Sequence, residues 1–137
     1  VPGTLKPACK DCGSTTRKLS RPGPRCATCL RDLKKAQKRA SHARWILRTY
    51  GLTIEQYEAL YEAQGGVCYL CQRATGKTRR LAVDHDHATG YVRGLLCKPC
   101  NSMLAHLRDD PIAFMRSARY LQYPIAHKVI GKVKPDE

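Results

Sequence analysis

Eight cysteines fall into four Cys-x-x-Cys pairs, Cys9/Cys12, Cys26/Cys29, Cys68/Cys71 and Cys97/Cys100, and none is left over. Two thiolates from one tight turn supply half of a tetrahedral metal site, and a second pair closes it. The spacing predicts two structural zinc ions. Cys9, Cys12, Cys26 and Cys29 would hold one, and Cys68, Cys71, Cys97 and Cys100 the other. A disulfide framework is the competing reading, but the short repeat is metal grammar, and a reducing cytosol suits eight metal-bound thiols. A segment too short to bury a core of its own then takes its folding energy from the metal.

At 137 residues the chain has room for one domain with a small module attached. No apolar run approaches membrane-spanning length, so no membrane partner is expected. The N-terminus lacks the apolar segment of a secretory signal. The opening Val1-Pro2-Gly3 reads as a processed end, an alternative start or a cloning remnant. Formal net charge is +14, from 25 Lys+Arg against 11 Asp+Glu. Two zinc ions, each held by four thiolates, would lower it to about +10. The charge is concentrated at the front, where residues 1–50 hold 13 basic and 2 acidic side chains. A polyanion partner follows, and nucleic acid is the commonest one.

Residues 1–29 read as a zinc ribbon, turn-rich through Gly13, Pro22, Gly23 and Pro24. A helix is expected over 30–49, with Leu30, Leu33, Ala36, Ala40, Ala43 and Leu47 at helical spacing. Lys34, Lys35, Lys38, Arg39 and Arg44 lie largely off that stripe, and Gly51 suits the end. Such a helix could dock the ribbon, follow a phosphate backbone or pair with a second subunit. Thr53-Ile54-Glu55-Gln56 is a capping box opening a further helix that Gly65-Gly66 stops. Leu81–His85 and Tyr91–Leu96 read as paired strands joined at Thr89-Gly90. A helix follows over about 99–107, with Pro99, Cys100 and Asn101 near its start. Pro111 opens a last helix with Ile112, Met115, Ala118 and Leu121 on one side, and Pro124 ends it. Residues 128–137 read as a loose tail.

The second pair of cysteine couples encloses Asp84-His85-Asp86-His87, and Asn101 follows the last cysteine. Phosphodiester hydrolysis needs a nucleophilic water, charge stabilisation at the phosphate and help for the leaving oxygen. His85 can take a proton from water as general base. Asp84 supplies a hard anionic oxygen for Mg²⁺ or Mn²⁺, and Asn101 a neutral one from the adjoining helix. His87 can touch a phosphate, orient His85 or fill the hairpin. Asp86 reads as a turn residue or as a support behind the metal ligands, rather than a ligand itself. Arg93 can meet a phosphate or stand solvated. His42, His106 and His127 have no motif around them.

The segment from Tyr50 to about Leu107 resembles the recombination endonuclease VII family, a branch of the HNH nucleases. The resemblance is carried by Tyr50-Gly51-Leu52-Thr53, Cys68-Tyr69-Leu70-Cys71, Val83-Asp84-His85-Asp86-His87, Gly90 to Cys97 and Cys100-Asn101. It implies a small zinc-stabilised α+β fold. A ββα-metal (HNH, or His-Me finger) nuclease core over 51–123 would follow a ribbon over 1–29 and a basic linking helix over 30–50, with flanking helices and a tail over 124–137. It implies a Mg²⁺-dependent (or Mn²⁺-dependent) DNA endonuclease leaving 5′-phosphate and 3′-hydroxyl ends. Asp84 and Asn101 would hold the ion, His85 would be the base, and His87 would stand beside them. Branched DNA such as a Holliday junction is the implied substrate, a homodimer the implied assembly, and the cytoplasm of a phage-infected or bacterial cell the implied place. The alternatives are a sequence-specific or nicking duplex endonuclease of the same fold, and a zinc-ribbon nucleic-acid-binding protein without catalysis. Two departures stand out. Tyr91-Val92-Arg93 occupies the stretch where the HNH group has its middle asparagine. The acidic residue the branch places one turn after the Asn is here Leu104, with Asp109 further on.

Overall fold

The computed structural model describes residues 7–20 and 23–134. Outside them lie Val1-Pro2-Gly3 and the rest of 1–6, Pro22 of the expected ribbon turn, and the last three residues of the expected tail. The chain divides into two units, Val1–Gln56 and Tyr57–Glu137.

In the first unit the Cys9 knuckle is a tight turn. The Gly13 N–H donates to the Cys9 carbonyl at 2.9 Å, and the Cys9 N–H donates to the Ser14 carbonyl at 3.0 Å. Gly13 sits at φ +67°, a conformation that costs a side-chain-bearing residue energy and glycine almost nothing. An isolated antiparallel bridge, Leu19 with Cys26, returns the chain to the second pair. Helix α1, Ala27–Tyr50, begins earlier than the apolar stripe predicts. Cys26, in extended conformation, is its N-cap, so Cys29 falls in its first turn. Gly51 at φ 66° closes it as a left-handed C-cap. The expected stripe is no buried face: Ala36, Ala40 and Leu47 are exposed, and Ile46 is the buried residue of α1. Half of its positions are alanine, whose side chain carries little apolar area and drives little burial, while Leu30, Leu33 and Ala43 are half-buried.

Helix α2, Ile54–Ala63, starts with the expected capping box. The Gln56 N–H donates to Thr53 Oγ1 at 3.2 Å, and the Thr53 N–H donates to Gln56 Oε1 at 2.9 Å. Strand β1, Ala82–His85, pairs antiparallel with β2, Val92–Leu96, and α3, Lys98–His106, follows and packs on β1. Val83, Leu81, Leu95, Leu96 and Tyr57 form the buried apolar centre around this hairpin. The Tyr57 hydroxyl donates to the Leu81 carbonyl at 2.8 Å. Gln64 clamps the sheet from the end of α2: its Nε2 donates to the carbonyls of Val67 and Leu95, and its Oε1 accepts from the Leu95 N–H at 2.8 Å.

Two further helices complete the described chain, α4 over Pro111–Gln122 and α5 over Ile125–Val129. Asp110 caps α4, accepting from the Ile112 N–H at 2.9 Å, with Pro111 at its first position. The expected apolar side of α4 is exposed at Ile112, Met115 and Leu121, and its half-buried residues are Ala113 and Phe114. Part of the stretch read as a tail is helical, since α5 restarts directly after Pro124. Among the described residues no helix is long and apolar enough to cross a membrane.

Candidate active site

Among the described residues, two groups of four cysteines could each hold a metal ion: Cys9, Cys12, Cys26 and Cys29, and Cys68, Cys71, Cys97 and Cys100. Within each group the ligand atoms all lie within 4.8 Å of one another. Cys12 and Cys26 Sγ are 3.9 Å apart, and Cys71 and Cys97 Sγ 3.8 Å. Bonds of about 2.3 Å to a tetrahedral zinc put sulfurs about 3.8 Å apart, whereas a disulfide needs about 2.05 Å. Charge points the same way. Backbone N–H groups of Cys12 and Cys26 hold the Cys9 thiol down to about 6, while the Cys26 and Cys12 side chains push Cys29 up to about 12. The Ala74 and Arg73 N–H groups hold Cys71 at about 6, while burial and the Cys97 thiol push Cys100 up to about 12. Four thiols so close cannot all ionise unless a cation compensates them.

Cys97 is the N-cap of α3, so Cys100 and Asn101 lie in its first turn, and Asn101 is half-buried there. A metal in the second cluster would tie the helix that carries Asn101 to the Cys68 knuckle, while α3 itself packs on the strand that carries Asp84 and His85.

Asp84 is a buried carboxylate, its side chain 7% exposed. A register shift in the hairpin explains its partner. Asp84 pairs with Gly94 and His85 with Val92, leaving Arg93 as the surplus residue of a β-bulge. Bulges redirect side chains, and here the guanidinium lies across the carboxylate. Arg93 Nε donates to Asp84 Oδ2 at 2.8 Å and Nη2 to Oδ1 at 2.9 Å. This two-point fork is the strong form of a charged pair. It raises the Arg93 pKa still further, Asp84 being the main cause and Asp109 a lesser one. Arg93 is therefore bound to carboxylates, with 34% of its side chain still exposed.

The hairpin loop is set by Asp86. Its Oδ1 accepts from the N–H groups of Ala88 at 2.7 Å and Thr89 at 2.9 Å, which hold its carboxyl below the usual range. Asp86 is thus a turn residue. The loop brings the His87 ring to 4.8 Å from the His85 ring. His87 Nδ1 lies 2.9 Å from Asp109 Oδ2, and Asp109 Oδ1 lies 3.3 Å from Arg93 Nη2. His87, and then Arg93, hold the Asp109 carboxyl below the usual range. Asp84, His85, His87 and Arg93 are thus gathered at one end of the hairpin, with Asp109 joined to them from the α3–α4 connection.

The sequence placed Asp109 only as an acidic residue lying further from Asn101 than one helical turn, and of Asp109-Asp110 it is Asp110 that caps α4. The second acid of the pair was the available signal. Lys34, Lys35, Lys38, Arg39 and Arg44 are exposed on α1 in the first unit. Arg93 belongs to the carboxylate cluster of the second. His42 sits beside Trp45, 6.1 Å between ring centroids, and His106 and His127 end α3 and lie in α5.

Residues 43–123 match the family described as recombination endonuclease VII. That stretch contains the second cysteine cluster and leaves out the first. A protein of Mycobacterium phage D29, called Gene 59 protein, is 52% identical over 129 residues, covering 90% of this chain and 78% of that one. The Gene 59 protein of Mycobacterium phage L5 is 50% identical over 129 residues, covering 90% and 79%. No solved structure matches.

Proposed function

The chain belongs to the recombination endonuclease VII family, and from that premise we propose that it is a divalent-metal-dependent endonuclease acting on DNA, with four-way or otherwise branched DNA as its preferred substrate. The observation that carries the reading is the pairing of a buried carboxylate, Asp84, with an adjacent imidazole, His85, at the end of a strand that packs on the Asn101-bearing helix. The order strand, strand, helix supports reading this unit as a ββα-metal core.

Asp84 and Asn101 suit Mg²⁺ or Mn²⁺, since a carboxylate and a carboxamide are hard oxygen donors. When bound, the ion would offset charge on the scissile phosphate and the departing 3′ oxygen. His85 accepts a proton from the attacking water as its oxygen bonds to phosphorus and the P–O3′ bond breaks; the departing 3′ oxygen takes a proton from solvent water, leaving 5′-phosphate and 3′-hydroxyl ends. Arg93 fixes the plane of the Asp84 carboxylate and carries a guanidinium that a phosphate oxygen can share. The two zinc ions take no part in the chemistry, because four thiolates saturate each. The cationic residues of α1 contact the DNA backbone, so affinity falls steeply with salt. One such site cuts one strand, and a homodimer accounts for cutting two.

A second reading, a sequence-specific or nicking duplex endonuclease, draws on the first cysteine cluster, which lies outside the matched stretch. One panel separates the readings: wild type and His85→Ala with Mg²⁺ on linear, nicked, flapped and four-way DNA. Wild type should cut the four-way substrate best, and His85→Ala should be slower by about 100-fold or more. Discrete fragments from long linear duplex would favour the second reading. Equal cleavage by both proteins would remove His85 from the mechanism. Binding without cleavage under any divalent ion would leave a non-catalytic nucleic-acid-binding protein.

A further inference from the structure

We propose that Asp109 is a positioning residue of this site: its carboxylate fixes the tautomer and direction of His87. The inference rests on the endonuclease reading above for its catalytic consequence, and on geometry alone for the Asp109–His87 link.

Asp109 lies between α3 and α4 in an uncommon backbone. Arg108 at φ 56° and Asp109 at φ 53° are consecutive left-handed residues, and neither is glycine. A left-handed backbone is unfavourable for residues that carry a Cβ, so two in succession persist only where surrounding structure determines them. Part of that support is local: the Asp109 N–H donates to the Leu104 carbonyl at 3.0 Å and the Arg108 N–H to the Ala105 carbonyl at 3.0 Å. The result is a carboxylate aimed back at the hairpin. Oδ2 meets His87 Nδ1 at 2.9 Å, and Oδ1 meets Arg93 Nη2 at 3.3 Å. A capping role does not explain the residue, because Asp110 caps α4. Nor is it a satisfied surface acid: Oδ1 is shielded from solvent and lacks a well-formed hydrogen bond.

The chemistry is that of a carboxylate behind an imidazole. An anion on Nδ1 keeps the proton there and leaves Nε2 as the nitrogen that faces a ligand. The His87 side chain is 66% exposed, so that nitrogen is open to a docked phosphate, and its ring is the neighbour of His85. Asp109 therefore does for His87 what the hairpin itself cannot, since His87 stands in the loop beyond the β1–β2 ladder.

The test compares wild type, Asp109→Ala, His87→Ala and the double variant, all as zinc-loaded full chains. Nitrogen-resolved NMR of the histidine rings should show His87 protonated at Nδ1 in wild type and shifted toward the Nε2–H form in Asp109→Ala. Single-turnover cleavage of a four-way junction should fall about tenfold in Asp109→Ala with KM changed less than about twofold, in the range that loss of an orienting partner costs. In the His87→Ala background the same substitution should add nothing. An unchanged tautomer, or losses that multiply in the double variant, would overturn the inference. If wild type cuts no DNA, the functional reading fails, while the ring tautomer still decides the Asp109–His87 link. Should Asp109→Ala load less zinc than wild type, Asp109→Asn carries the same double-variant comparison.

Discussion

Cys26 and Cys97 cap their helices at nearly the same backbone angles, φ −70° and ψ 162° in the first cluster and φ −70° and ψ 156° in the second. Cys29 and Cys100 then fall at the same place in the first turn. The knuckles also correspond. The fourth residue after the first cysteine is left-handed in both, Gly13 at φ 67° and Gln72 at φ 53°. In both, its N–H donates to the carbonyl of that cysteine at 2.9 Å. The difference lies in what each helix carries. Behind Cys26 runs a 24-residue helix whose exposed surface bears Lys34, Lys35, Lys38, Arg39 and Arg44. Behind Cys97 runs a 9-residue helix that bears Asn101 and packs on the strand of Asp84 and His85. The same four-cysteine arrangement thus opens a helix with a charged surface in one unit and the helix that carries Asn101 in the other.

Removing one cluster at a time should separate the two units most sharply. Serine is a good helix cap, so Cys97→Ser and Cys26→Ser delete a ligand while keeping the helix start. Each should lower zinc content by one ion per chain, removing binding energy worth about 10 kcal/mol or more in comparable sites. Cys97→Ser should abolish cleavage, whereas Cys26→Ser should retain it at saturating protein and weaken DNA binding about tenfold, since lost phosphate contacts reduce affinity. Equal loss of cleavage in both would break the division of labour.

A smaller effect should come from exchanging the left-handed residues. Gln72→Gly should raise the stability of its unit by about 0.5–1 kcal/mol, and Gly13→Gln should lower its own by a similar amount. Thermal unfolding of each unit reads this out. A sign reversal in either unit would mean that the matching angles do not reflect matching strain.

The smallest difference is expected in acid. Cys9 and Cys71, both held at about 6, keep their charge as pH falls from 8 and lose it through that value. Their depressed values favour the ligated state above that range and stop doing so below it. Zinc released into a colour indicator should therefore leave both clusters over one interval. Two steps more than about one pH unit apart would show that the clusters are not electrostatic equivalents.

Much of this was legible in the residues because it rests on local chemistry. Cys-x-x-Cys spacing foretold both clusters, Thr53 and Gln56 their reciprocal cap, and the runs around Val83 and Leu95 the hairpin. What escaped depended on tertiary detail. The start of α1 was hidden because a cysteine, not one of the usual polar caps, begins it. The alanine stripe has helical period but too little area to enforce burial. The bulge at Arg93 is a matter of register, which single-strand patterning does not encode. Asp109 reaches the cluster through two left-handed residues that nothing in Arg108-Asp109 advertises.

Gly94 stands opposite Asp84, and a Cβ there would meet Gln64 Oε1 at 3.1 Å. The missing methyl is the keyhole through which the α2 terminus reaches the sheet. That keyhole and the bulged arginine are neighbours in sequence. A protein engineer moving the hairpin to another scaffold would have to transplant the dipeptide Arg93-Gly94 together with its glutamine latch, or receive a ribbon that zips but does not grip.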